Sequence, residues 1–131
     1  ERDLPGAAIH TVEPDGFDDT ARSLAAGKRL ANEPGATTIC DALLPPEPGV
    51  LTFPINDRLA VSGLSVTDEA VQQAMAAAFA HLKIVVEPGG AVALAAVLSG
   101  VFPCRGETVA VIATGGNVEP AAFAAALKAA P

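Results

Sequence analysis

Residues 109–113, Val-Ala-Val-Ile-Ala, carry no polar side chain and run straight into Thr114-Gly115-Gly116-Asn117. A short run that is apolar on both alternating faces and partly β-branched suits a strand covered on both sides. Strands of that kind belong to parallel sheets sandwiched between helices. The exit from such a strand places one hydroxyl and two residues without side chains at the rim of the sheet. There, free backbone N–H groups can meet a small polar ligand.

The rest of the chain alternates in the same sense. Ala7–Val12 reads as a short buried strand closed by the turn residues Glu13-Pro14-Asp15-Gly16. A helix from Asp19 to Ala26 follows, with Asp18 or Asp19 as its cap. Residues 27–50 hold glycines and several prolines and read as a long connection. A brief helix over Thr52–Leu59 and a strand over Ala60–Val66 come next. Thr67-Asp68-Glu69 then supplies a hydroxyl cap and two acids for a helix reaching Leu82, with Val71, Met75, Ala78, Phe79 and Leu82 on one stripe. Further helices are expected over Gly90–Leu98 and, opened by Pro120, to Lys128, with the strand Thr108–Ala113 between them. Val-Glu-Pro recurs at 12–14, 86–88 and 118–120, but at unequal spacing, so it punctuates strand-to-helix joints and does not mark a repeat. The pattern is α/β, a mostly parallel sheet flanked by helices. About three strands leave exposed sheet edges, which fits part of a larger doubly wound sheet better than a complete one.

Composition narrows the function. Half of the 131 residues are apolar, much of that alanine, which suits close packing of helices on a sheet. A net charge of −7 argues against nucleic acid, whose binding needs clustered Lys and Arg. Cys40 and Cys104 have no neighbouring Cys or His at zinc-ligand spacing and read as reduced thiols of a cytoplasmic protein. No apolar stretch free of charges and Gly-Pro breaks is long enough to span a bilayer, and no leader pattern opens the chain. Starting at Glu1, the chain reads as a section of a longer one.

Three places can carry chemistry. Glu87 precedes Pro88 and is therefore held extended, with its carboxylate free to point into a cleft or to favour the helix start at Gly90. Thr114-Gly115-Gly116-Asn117 is a ligand-facing strand exit or a simple cap. Glu13 and Asp19 flank the turn Glu-Pro-Asp-Gly-Phe-Asp-Asp, which is a solvated acidic turn or an oxygen-rich site for a hard cation. His10 and His81 read as structural.

Taken in order, these segments resemble the C-terminal part of the serine/threonine dehydratases, in the tryptophan-synthase-β-like group of pyridoxal-phosphate enzymes. The resemblance covers nearly the whole chain but only the later part of the family's architecture. It implies that residues 1–131 are the C-terminal section of the large catalytic domain of a fold-type II enzyme. On that resemblance Thr114 hydrogen-bonds the pyridine nitrogen of pyridoxal phosphate from the turn that contains Gly115, and Glu87, in Glu-Pro-x-x-Ala, lies beside the ring. Glu13, the backbone carbonyl of Phe17 and Asp19 correspond to the family's divalent-cation loop, suited to Mg²⁺ or Ca²⁺. Asp41-Ala42 stands where the family often has Asp-Gly near the cofactor, so Ala42 departs from the pattern.

The family's Schiff-base lysine, Ser-x-Gly-Asn substrate loop and glycine-rich phosphate cradle are not found here. Lys28, Lys83 and Lys128 occupy ordinary surface positions. The resemblance thus implies a partner, the remaining N-terminal part of the enzyme, and a section that is inactive alone. The complete enzyme is expected to take a small hydroxy amino acid to a 2-oxo acid and ammonia, and to form a homo-oligomer that binds neither nucleic acid nor membrane. An amino-acid racemase on the same scaffold, or a non-catalytic regulatory ligand-binding domain, is the alternative.

Overall fold

The computed structural model describes residues 6–129. Two parallel strands, β1 (His10–Pro14) and β2 (Ser62–Val66), pair in register with Val12 opposite Leu64 and Pro14 opposite Val66. Between them the chain forms α1 (Asp19–Ala26), a single 3₁₀ turn over Asp41–Leu43, and α2 (Thr52–Arg58). After β2 come α3 (Asp68–Ala77), a π-helical turn over Ala78–Leu82, α4 (Pro88–Leu98) and α5 (Pro120–Lys128).

Strand alternation divides the surroundings of the sheet. Val12, Leu64 and Val66 face the main core, where α4 lies, while Gly63 faces Ala21 of α1. The core is built from Val66, then Val71, Ala74, Met75 and Ala78 of the α3 segment, against Ala91, Val92, Ala95 and Ala96 of α4. Alanine on both facing helices brings their backbones close. This is why α4, apolar on nearly every side, can be buried between α3 and the sheet. Ala126 of α5 and Cys40 of the long connection close the same cluster.

Several boundaries differ from the sequence expectation. The first ladder begins at His10, not Ala7, and runs through Glu13 and Pro14, because Pro14 at the strand end has no N–H to satisfy and Asp15 N–H takes up the next bond, to the Val66 carbonyl at 2.9 Å. The second begins at Ser62, since Ala60 is in the left-handed region at φ 52° as the chain leaves α2. The helix expected to reach Leu82 stays α-helical only to Ala77 before widening, and Lys83 at φ 60° ends it. The strand expected over Thr108–Ala113 forms no ladder, because no strand stands beside it among the described residues. The sheet accordingly has two strands where about three were expected. Among the described residues no helix is long and apolar enough to cross a membrane.

A Cβ at Gly63 would overlap the backbone of Ala21, so α1 lies on the sheet only because that residue has no side chain. Gly63→Ala is expected to destabilise the fold by about 1–3 kcal/mol through overpacking. A urea midpoint equal to that of the unsubstituted protein would show that α1 can lift without cost.

Candidate functional site

Pro88 starts α4 at the position where a missing N–H costs nothing, and Glu87 before it is extended at φ −72°, ψ 161°. The Glu87 carboxylate does not cap α4. It turns instead to the strand exit, where Asn117 N–H donates to Glu87 Oε2 at 2.9 Å and Glu87 N–H donates to the Gly115 carbonyl at 3.2 Å. Two segments 30 residues apart are thereby held together.

The glycines on both sides make this contact possible. Gly115 is at φ 56°, and a Cβ there would sit 2.5 Å from the Glu87 carboxylate. A Cβ on Gly90 would overlap the Thr114 carbonyl, and one on Gly116 would come 2.9 Å from the Val85 carbonyl. Two glycines in the first turn of a helix weaken it, and the close approach of Thr114 explains why one of them is needed. Thr114 itself is exposed at the rim.

Gly89 meets the long connection on its other side: a Cβ there would come 3.3 Å from the Ala42 methyl and 3.5 Å from Leu43 Cγ. The methyl by which Ala42 departs from Asp-Gly therefore faces a residue of α4 that lacks its own. The first turn of α4 lies between Ala42 and Leu43 on one side and Thr114 on the other.

Glu13 has a different arrangement from a simple acidic turn. Its Oε1 accepts from Thr20 N–H at 3.1 Å and its Oε2 from Ala21 N–H at 3.0 Å, so both oxygens cap α1 from the end of β1. Asp18 stands at the cap position yet makes no capping bond; its Oδ1 accepts from Arg22 Nε at 3.0 Å. Asp19 is 5% exposed, and its Oδ1 accepts from Asn32 Nδ2 at 2.7 Å. The capping by Glu13 was not legible locally, because seven residues and a turn separate it from Thr20. Phe17 lies half-buried within that turn, its N–H bonded to the Pro14 carbonyl at 3.0 Å. Glu13 and Asp19 share a cleft of about 210 Å³ with Leu43 and Glu47. Among the described residues no cluster of three or more His, Cys, Asp and Glu side chains is set to hold a metal ion.

Burial pushes the Glu13 carboxyl above its ordinary value, outweighing the pull of its hydrogen-bond partners, while the nearby Asp19 adds to the rise. Cys40 is fully buried, and desolvation pushes its thiol up to about 11. Lys28, Lys83 and Lys128 are all exposed.

With this geometry in place, comparison with known proteins identifies the chain's relatives. Residues 1–115 match the family described as pyridoxal-phosphate dependent enzyme, and the chain belongs to that family. It is 37% identical over 118 residues to a serine racemase of Dictyostelium discoideum, covering 88% of this chain and 36% of the relative. With an L-threo-3-hydroxyaspartate ammonia-lyase of a Pseudomonas species it shares 34% over 124 residues, covering 95% and 39%. The crystal structure of a T.th. threonine deaminase superposes with a TM-score of 0.81 at 38% identity, covering 88% of this chain and 38% of that one. The chain thus spans somewhat more than a third of the length of each of these relatives. The α/β class, with parallel strands and flanking helices of the fold-type II pyridoxal-phosphate enzymes, is as the sequence implied.

Glu13→Ala leaves the Thr20 and Ala21 amides without acceptors and is expected to cost about 0.5–2 kcal/mol. Asp18→Ala removes only a partly exposed ion pair and should cost roughly 0.5 kcal/mol or less. Equal urea midpoints for the two variants would remove Glu13 as the cap. Because the folded Glu13 holds its proton more tightly than the unfolded chain, its contribution is complete below the ordinary value of 4.5 and is lost as pH rises through the raised folded value. Glu13→Gln should therefore flatten the fall of stability with pH above 4.5, read as urea midpoints across that range.

Proposed function

We propose that this chain is the C-terminal section of the large domain of a pyridoxal-phosphate-dependent dehydratase acting on a small hydroxy amino acid. The observation that carries the reading is the apposition of Glu87 with Thr114-Gly115-Gly116-Asn117, which sets an exposed hydroxyl at the rim of the fold beside a carboxylate-braced turn. The donor set fits the cofactor: a neutral hydroxyl at the rim suits a pyridine nitrogen that carries no proton.

When bound, pyridoxal phosphate supplies an electron sink that acidifies the α C–H of an amino acid. Thr114 would hold the ring nitrogen, and a hydroxyl cannot stabilise a protonated pyridine as a carboxylate does. Thr114 would thus leave the bound group a moderate sink, which would suit prompt loss of a β-hydroxyl more than long storage of charge on carbon. Gly115 gives the turn its left-handed bend, and Glu87 fixes the turn through the Asn117 N–H. The net reaction yields a 2-oxo acid and ammonia, the water lost in elimination being returned by hydrolysis.

The exposed lysines are not placed to hold a cofactor covalently, so this section alone is expected to be inactive. Ile112, 78% exposed, and Val109, Ile84 and Val85 leave apolar side chains open on unladdered backbone, which suits cover by the rest of the enzyme and association of copies. Serine racemases match as well as ammonia-lyases do, so α-proton exchange on the same site is the second reading. Family membership disfavours a purely regulatory domain.

In the complete enzyme Thr114→Ala should lower cofactor affinity by about 0.5–1.5 kcal/mol, the value of one neutral hydrogen bond, and Thr114→Ser should be mild. Thr114→Asp should favour a protonated ring and shift the ratio of 2-oxo acid formed to α-hydrogen exchanged with deuterium towards exchange. Unchanged affinity and ratio in both Thr114→Ala and Thr114→Asp would sink the assignment.

We further propose that Glu13, the Phe17 carbonyl and Asp19 can take Mg²⁺ or Ca²⁺, the cation competing with the helix amides for Glu13. Cation at about a hundredfold over its dissociation constant should then stabilise the fold by roughly 2.7 kcal/mol, and Asp19→Ala should abolish the gain. Identical melting with and without cation leaves Glu13 as a cap alone.

A further inference from the structure

The long connection between α1 and α2 has one regular turn, Asp41–Leu43, and that turn packs on the start of α4. What fixes it lies just before it in sequence. Thr38 Oγ1 donates to Asp68 Oδ1 at 2.6 Å, and Ile39 N–H donates to Asp68 Oδ2 at 3.0 Å, so both carboxylate oxygens are used on the connection. Cys40 N–H in turn donates to Thr38 Oγ1 at 3.1 Å, and Leu43 N–H closes the turn on the Cys40 carbonyl at 2.9 Å. The Cys40 side chain is fully buried in the core.

Asp68 is free for this task because Thr67 already caps α3, its hydroxyl accepting from Ala70 N–H at 3.1 Å. A negative charge in the first turn of α3 is favoured by the helix dipole, so the carboxylate is stabilised where it stands. Hydrogen bonds to a charged acceptor are also stronger than neutral ones. The clamp acts on one flank of Pro88–Gly90: Ala42 and Leu43 press on Gly89, while Thr114 presses on Gly90 from the other.

We propose that Asp68 is a positioning residue: through Thr38 and the Ile39 amide it holds Asp41–Leu43 against Gly89 and so sets the placement of the Glu87–Gly90 segment within the cofactor site. The proposal rests on the pyridoxal-phosphate reading above and adds to it a residue that touches neither the ring nor the substrate. The Ala42 methyl lies in the space that Gly89 leaves open, 3.3 Å from where a Cβ there would stand, so movement of the connection would be felt at α4.

The test uses the complete enzyme with Asp68→Asn, Thr38→Val, Thr38→Ser and, as a control for charge in the first turn of α3, Glu69→Gln. Alkylation of Cys40, followed by mass spectrometry of its peptide, reads the clamp without reference to activity. Fluorescence titration with pyridoxal phosphate reads the site. Thr38→Val and Asp68→Asn should speed Cys40 alkylation by about tenfold or more, as expected for losing a charge-assisted hydrogen bond that resists local opening and, in Thr38→Val, the acceptor of the Cys40 N–H as well. The cofactor dissociation constant should rise roughly three- to tenfold in the same variants, in keeping with a loosened supporting contact. Thr38→Ser should restore both, and Glu69→Gln should change neither. Thr38→Val leaves α3 and its cap intact, so it decides the matter even where Asp68→Asn fails to fold. Unchanged Cys40 alkylation overturns the clamp. Faster alkylation with an unchanged cofactor constant overturns the positioning role. An unsubstituted enzyme that binds no cofactor overturns the reading of the preceding section, and this proposal with it.

Discussion

The candidate site depends on one close approach, that of the Thr114–Asn117 backbone onto the first turn of α4. Side chains at Gly90, Gly115 or Gly116 would each fill the space in which the two segments meet. With that space open, the Glu87 carboxylate accepts from Asn117 N–H, and a turn with no ladder partner of its own is held in a fixed place. The helix tolerates glycines in its first turn because its stability comes from burial between α3 and the sheet, not from intrinsic propensity. Packing of small residues in the core is thus what permits the unusual backbone at the rim.

Much of this was legible in the sequence, for identifiable reasons. Pro120 and Lys128 bound α5 as expected, since a proline at the first helical position and a base in the last turn are local signals. Thr67 caps α3 as its residue type predicts. Glu87 is bonded to Gly115 and Asn117 of the strand exit, a pairing 30 residues apart that could not be read locally. Residues 109–113 have the apolar, partly β-branched character of a strand, but a ladder is a property of two segments, and among the described residues none lies beside this one. The bonds that fix the long connection, donated by Thr38 and Ile39 to Asp68, span about 30 residues and leave no periodic trace.

Glu13 illustrates how far the fold carries a carboxylate from its place in the sequence. An acid seven residues before a helical amide looks like part of a turn, yet folding carries it back over α1, where it replaces the cap that Asp18 does not provide. The same placement beside Asp19 makes an oxygen-rich cleft. Capping lowers the energy of the charged form and burial raises it, and burial prevails. A cation there would have to draw Glu13 away from amides that then need water or another acceptor, so binding and helix stability at this corner are opposed. A cation taken as proposed would therefore be held weakly.

The division between elimination and racemisation follows from how little of the reaction this section controls. Both reactions begin by removing the same α-proton and both need the ring held at the same nitrogen; on the proposed reading the Thr114 hydroxyl would hold it in either, tilting the balance towards elimination without barring exchange. What differs is whether a proton is returned from the opposite face before the β-hydroxyl leaves. Among the described residues the groups bonded around Glu87 offer only backbone amides and carbonyls beside the Thr114 hydroxyl, and Lys28, Lys83 and Lys128 are exposed. Identity to a serine racemase and to an ammonia-lyase is similar over this section, 37% and 34%, as expected if the proposed site holds the cofactor and groups elsewhere in the complete enzyme decide the fate of the charge it stabilises.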